Sequence, residues 1–145
     1  MIADAALIQR INWIMGSGYE CMQCSAFLSA KGSSGHFLHA ASEPALATNH
    51  YRQQNGRVYC EYLNVAWQLR DVTLADGGFV CVPGSHKTSY TMPDCIKTCD
   101  DEMGLVRHVE MEAGDVLIFL ASAQTHGAYP WTGEQSRRMI FFQYR

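Results

Sequence analysis

No apolar run in this 145-residue chain approaches the ~20 residues needed to span a bilayer. Its N-terminus also lacks the basic segment and apolar core of a secretory signal. A soluble, cytoplasmic protein is therefore the expectation. Charge is scarce as well, with 17% charged residues and a net charge of −3. Without a basic excess, nucleic acid and anionic membrane surfaces are poor partners. With 48% apolar residues the chain is too hydrophobic for disorder. Internal repeats and low-complexity tracts are absent. Cysteine is not scarce: there are six. Cys21-Met-Gln-Cys24 and Cys95-Ile-Lys-Thr-Cys99 have zinc-like spacings. However, Cys21 and Cys24 fall in a strand-like stretch, where a spacing of three points them to opposite faces. Reduced thiols packed as small hydrophobes are the better reading.

What is present suggests one domain, residues 1–145, with a single core. Ala3 to Met15 carries a helical apolar stripe at Leu7, Ile8, Ile11, Ile14 and Met15, with Asp4 at its start and Gly16 as a stop. Tyr19 to Ala30 reads as a strand, followed by the flexible Lys31-Gly-Ser-Ser-Gly35 and a further strand beginning at His36. Ala40 to Asn55 has no clean period and contains Pro44, so a long loop is expected at the lip of a site. Arg57 to Asp71 reads as one long strand or two successive ones. Phe79 to Val82 and Leu105 to Met111 are strands, and the acidic segment from Thr88 to Met103 is a loop. Short strands separated by turns indicate a mainly β, antiparallel double-sheet jelly roll with an N-terminal helix.

The C-terminal third carries the chemistry. Val116 to Leu120, Thr125 to Tyr129 and Arg137 to Tyr144 read as strands, and Pro130-Trp-Thr-Gly133 supplies turn residues. If the last two strands form a hairpin with Arg137 opposite Ala128, His126 and Arg137 share a face, roughly 6–7 Å apart along the strands. A turn one residue tighter places them on opposite faces. On a shared face, a metal at the imidazole and a carboxylate at the guanidinium would be bridged by a short dicarboxylate such as 2-oxoglutarate.

From Leu63 onward the chain resembles the phytanoyl-CoA dioxygenase family of Fe(II)/2-oxoglutarate oxygenases. The resemblance rests on Trp67-Gln-Leu-Arg-Asp71-Val, Asp76-Gly-Gly-Phe79, Val82-Pro-Gly-Ser-His-Lys87, Gly114-Asp-Val-Leu-Ile-Phe119, Thr125-His-Gly127 and Arg137-Arg138. Leu38-His39 is similar to the family's first metal-ligand site. The match covers about two-thirds of the chain, and its combination of motifs is specific where each alone would be weak. It implies a cupin-like double-stranded β-helix. Its cofactors would be Fe(II) and 2-oxoglutarate, with O2 as co-reactant and a small organic substrate hydroxylated at an aliphatic C–H. Relative to the family the chain is short, which suggests a fragment or a minimal version. An open sheet edge would then favour a homodimer.

The resemblance assigns His39 and His126 to the metal and Arg137 to the distal carboxylate of 2-oxoglutarate, with Trp67 and Gln68 lining the co-substrate pocket. Trp67 and Gln68 are equally readable as a core aromatic and an edge polar group. Arg138 should face away. Ala128 stands where the family often has a hydroxyl for the co-substrate, so that contact is lost. His86 belongs to a turn motif, and His36, His50 and His108 receive no role. The family's acidic ligand lies two residues after the first histidine, and here that residue is Ala41. Glu43 is one replacement, although Pro44 pushes it away from helical angles. A water or halide is another, and a vacant position of this kind resembles the non-haem iron halogenases. A non-catalytic, cupin-like carboxylate-binding relative is the third. Loss of one carboxylate is survivable, because two neutral imidazoles and dianionic 2-oxoglutarate already balance Fe(II).

Overall fold

A computed structural model describes residues 1–40, 51–88 and 91–145. Helix α1 (Ala5–Met15) begins where the Asp4 side chain accepts the Leu7 N–H at 2.9 Å. It ends at Gly16, whose positive φ of 83° other residues adopt poorly. Its buried face, Leu7 and Ile11, packs on Leu63, Val65, Phe142 and Tyr144.

Two antiparallel sheets follow. The first runs β1 (Cys21–Ser29), β10 (Arg137–Tyr144), β5 (Leu63–Gln68), β8 (Val116–Leu120). The second runs β2 (His36–His39), β9 (His126–Tyr129), β6 (Gly78–Cys81), β7 (Arg107–His108). A separate hairpin joins β3 (Arg52–Gln54) to β4 (Arg57–Tyr59). The fold is the mainly β, cupin-like jelly roll with an N-terminal helix that the sequence pattern indicates. No helix among the described residues is long and apolar enough to cross a membrane.

Side-chain alternation divides each sheet cleanly. In the first sheet Leu63, Val65, Ile140, Phe142 and Tyr144 lie under α1, while Asn64, Met139, Phe141 and Gln143 face the second sheet. On the outer face of the second sheet, Leu38, Val80 and Val82 pack with Met92, Val106 and Ile96 of α2 (Asp94–Lys97). Both apolar clusters thus lie on the outer faces. The space between the sheets is left for a cavity.

Three local expectations change. The last two strands do not form a hairpin: β9 pairs with β2 and β6, and β10 with β1 and β5. Their connection is tied elsewhere. The Trp131 N–H donates to the Ser33 carbonyl at 3.0 Å, the Thr132 N–H donates to the Asp76 carbonyl at 2.9 Å, and the Trp131 ring is buried. These anchors draw residues 130–136 across from one sheet to the other. The acidic segment expected as a loop contains α2, because Ile96 is buried against the second sheet. The strand expected over Leu105–Met111 shrinks to Arg107–His108, where Val80 and Cys81 offer it partners, plus an isolated bridge from Met111 to Val72.

Candidate active site

A cavity of about 620 Å³ opens between the two sheets, and His36, His39, His126 and Arg137 all line it. His39 and His126 are direct cross-strand partners on β2 and β9, with ring centroids 4.5 Å apart. Arg137 enters from the opposite sheet, at the start of β10. The sequence-predicted convergence of His126 and Arg137 therefore occurs, but by facing sheets rather than neighbouring strands.

Each histidine is held by a backbone carbonyl. His126 Nδ1–H donates to the Gln124 carbonyl at 2.8 Å, and His39 Nδ1–H donates to the Phe37 carbonyl at 3.1 Å. A carbonyl can only accept, so in the neutral rings Nδ1 carries the proton and Nε2 the lone pair. That is the tautomer a metal needs, with the ring orientation fixed from behind. Burial first of all, with a smaller contribution from His39 and His36 and against the opposing bond to Gln124, brings the His126 pKa down to about 4. The ring is therefore neutral, and able to ligate, across the physiological range.

Arg137 is only 8% exposed. Its Nε atom is buried without a partner, and among the described residues no carboxylate pairs with it. Desolvation lowers its pKa, a sign that the charge is poorly compensated. A buried, unpaired guanidinium is costly. A carboxylate entering the cavity would satisfy it with two parallel hydrogen bonds. Gly78 lies behind the guanidinium: its φ of 88° suits glycine, and an added Cβ would lie in ordinary contact with the guanidinium carbon at 3.7 Å and tight against Val72 at 3.3 Å.

His36, given no role from sequence, also lines this cavity, its ring 4.7 Å from that of His39. A spacing of three along a regular strand would put the two rings on opposite faces. Here β2 bulges: His36 pairs with Ala128 and His39 with His126, so three steps on β2 match two on β9. Phe37 O accepts from Nδ1 of both rings. Among the described residues, though, no three His, Cys, Asp or Glu side chains gather closely enough to hold a metal by themselves.

Trp67 does not reach the cavity. Adjacent strand residues face opposite ways, and Trp67 packs with the cluster beneath α1. Gln68 is fully buried, with its amide 3.8 Å from the sulfur of Met139, itself a lining residue. Ala41 and Glu43 lie outside the described residues. All six cysteines are free thiols, and Cys21 and Cys24 are exposed on β1.

A jelly roll with paired imidazoles and a buried guanidinium lining one inter-sheet cavity offers donors that could hold a metal and a carboxylate. Comparison with known proteins places it more closely. The sequence profile of the phytanoyl-CoA dioxygenase (PhyH) family matches residues 18–139, and the chain belongs to that family. No curated protein matches it in sequence. Among solved structures it is similar to HygX from Streptomyces hygroscopicus with nickel and 2-oxoglutarate bound, with a TM-score of 0.82 and 22% identity. It is equally similar to HygX with nickel, 2-oxoglutarate and hygromycin B bound. In both cases 97% of this chain is covered, and the chain spans 61% of the length of HygX. AviO1 from Streptomyces viridochromogenes Tue57 superposes with a TM-score of 0.68 at 20% identity, covering 99% of this chain and 58% of its own. At these identities the likeness speaks for the fold.

Proposed function

We propose that this protein is a non-haem Fe(II)/2-oxoglutarate-dependent oxygenase that hydroxylates an aliphatic C–H of a small organic substrate. The observation that carries the proposal is the buried guanidinium of Arg137, unpaired among the described residues, facing the His39–His126 pair across one cavity. The donor set fits the group. His39 and His126 would hold the metal through Nε2, and Glu43 is the carboxylate nearest in sequence for a third donor. Arg137 would take the distal carboxylate of 2-oxoglutarate. HygX, which shares the fold, has been seen with a metal and 2-oxoglutarate together.

Iron with 2-oxoglutarate supplies oxidative decarboxylation of the co-substrate, coupled to insertion of one O2 oxygen into the substrate, with succinate and CO2 as the other products. The protein's own residues do the positioning. The carbonyls of Gln124 and Phe37 keep two imidazoles in the ligating tautomer. Arg137 would fix the distal carboxylate of the dianion, and the rings of Phe79 and Phe119, packed against His126, give the cavity an apolar wall.

Anaerobic addition of Fe(II) and 2-oxoglutarate should produce a weak visible charge-transfer band, abolished by His126→Ala. Arg137→Ala should weaken 2-oxoglutarate binding about a hundredfold, the value of two charge-assisted hydrogen bonds. Succinate formation in air then reports turnover, and mass analysis of the product made with chloride present separates hydroxylation from halogenation. Equal 2-oxoglutarate binding with and without metal would overturn the oxygenase reading in favour of a carboxylate-binding module.

A further inference from the structure

The Val82-Pro-Gly-Ser-His-Lys87 motif is unexplained by the site, since neither its histidine nor its lysine lines the cavity. Its serine is the informative residue. Ser85 is 2% exposed, and its hydroxyl makes two bonds of 2.7 Å: it donates to the Val82 carbonyl and accepts the N–H of Thr125. Thr125 immediately precedes His126 and is itself fully buried.

The backbone explains why a side chain is needed there. β6 and β9 pair through Cys81 and His126, and one further ladder bond runs from the Val82 N–H to the Thr125 carbonyl at 2.9 Å. At Pro83 the chain turns away, and Gly84 takes a left-handed φ of 82°. The reciprocal ladder bond, from the Thr125 N–H to the Val82 carbonyl, is not made, because that carbonyl accepts from Ser85 instead. The turn folds Ser85 back so that its hydroxyl stands between the two groups and becomes the acceptor for Thr125. Because that hydroxyl spends its proton on Val82, its lone pairs face Thr125.

We infer that Ser85 is a positioning residue for His126, acting through the Thr125 backbone. His126 is oriented by the carbonyl of Gln124, on the other side of Thr125. Displacing Thr125 would therefore move both the Cα that carries the imidazole and the carbonyl that aims it. Ser85 itself does not line the cavity. It sets where Nε2 points, in the manner of the outer groups that tune metal sites. The inference rests on the reading of His126 as a metal ligand.

Cobalt(II) titration of the purified metal-free protein, followed by its visible d–d absorption, tests it. His126→Ala is measured first: if it binds Co(II) like the wild type, the metal reading fails and this inference with it. Given a loss there, Ser85→Ala should lower Co(II) affinity about tenfold and alter the absorption envelope. Ser85→Thr, which keeps a hydroxyl, should recover most of that loss. Ile96→Val, in the outer cluster of the second sheet, should leave the Co(II) affinity and spectrum unchanged even where it lowers stability. Should Ser85→Ala not fold, Ser85→Cys substitutes a weaker acceptor of similar shape, with a smaller drop expected. Wild-type affinity and spectrum in the folded Ser85 variant would overturn the assignment and leave Ser85 a purely structural residue.

Discussion

His126 is the residue whose environment can be read most directly by titration. Its pKa of about 4 in the fold, against 6.5 as the ordinary value, means that the unfolded chain binds a proton the folded chain refuses. In the metal-free protein this contribution to stability is complete above pH 6.5 and is lost as the pH falls toward 4. The loss is on the order of 3 kcal/mol. Urea unfolding at a series of pH values should show the decline, and His126→Gln should remove that part of it. Arg137 and His126 were legible in the sequence because short motifs name them. His36 was not, since a bulge changes which face a side chain takes and leaves no compositional mark. The motif leaves Trp67 readable either as a pocket residue or as a core aromatic, and the period of two along β5 sends it under the helix, into the core.

Among the elements, β2 and β9 form the pair on which the site depends, and Gly127 is what lets them meet. A Cβ at Gly127 would lie 2.5 Å from the carbonyl oxygen of His36 and 2.9 Å from that of Phe37. Both are backbone atoms, which cannot swing aside. Gly127→Ala should therefore push the bulged strand away from its partner. The expected cost is about 1–3 kcal/mol in denaturant unfolding, with a weakened Co(II) affinity because His39 and His126 separate. The glycine of Thr125-His-Gly127 is thus as much part of the motif's physics as the histidine. The ranges of β1, β8, β9 and β10 followed closely from apolar runs and alternation. Their pairing did not. Pro130 to Gly133 has the composition of a hairpin turn, but the burial of Trp131 and the anchors at Ser33 and Asp76 are long-range facts that local turn chemistry does not carry.

For the whole molecule, the two apolar clusters on the outer faces support the fold, while the space between the sheets is given to the site. Among the described residues each sheet has two edge strands, and the longest of them is β1. β1 is nine residues long, pairs with β10 on one side, has no partner strand on the other among the described residues, and exposes Met22, Phe27 and Leu28. A free strand edge of that length with apolar side chains invites association with a second chain. Light scattering should show concentration-dependent growth in mass, and Leu28→Lys should reduce it without a large change in thermal midpoint. An unaltered association profile in that variant would place the contact elsewhere.

The cation and the imidazole pair belong to opposite sheets, although only ten residues separate His126 from Arg137 in the sequence. A bound dianion chelating metal at one end and meeting the guanidinium at the other would act as a rivet through the sandwich, with the cargo bracing the vessel. Metal alone would grip one wall and leave the other unsupported. Calorimetry should accordingly find that nickel and 2-oxoglutarate together raise the melting temperature by more than the sum of their separate effects.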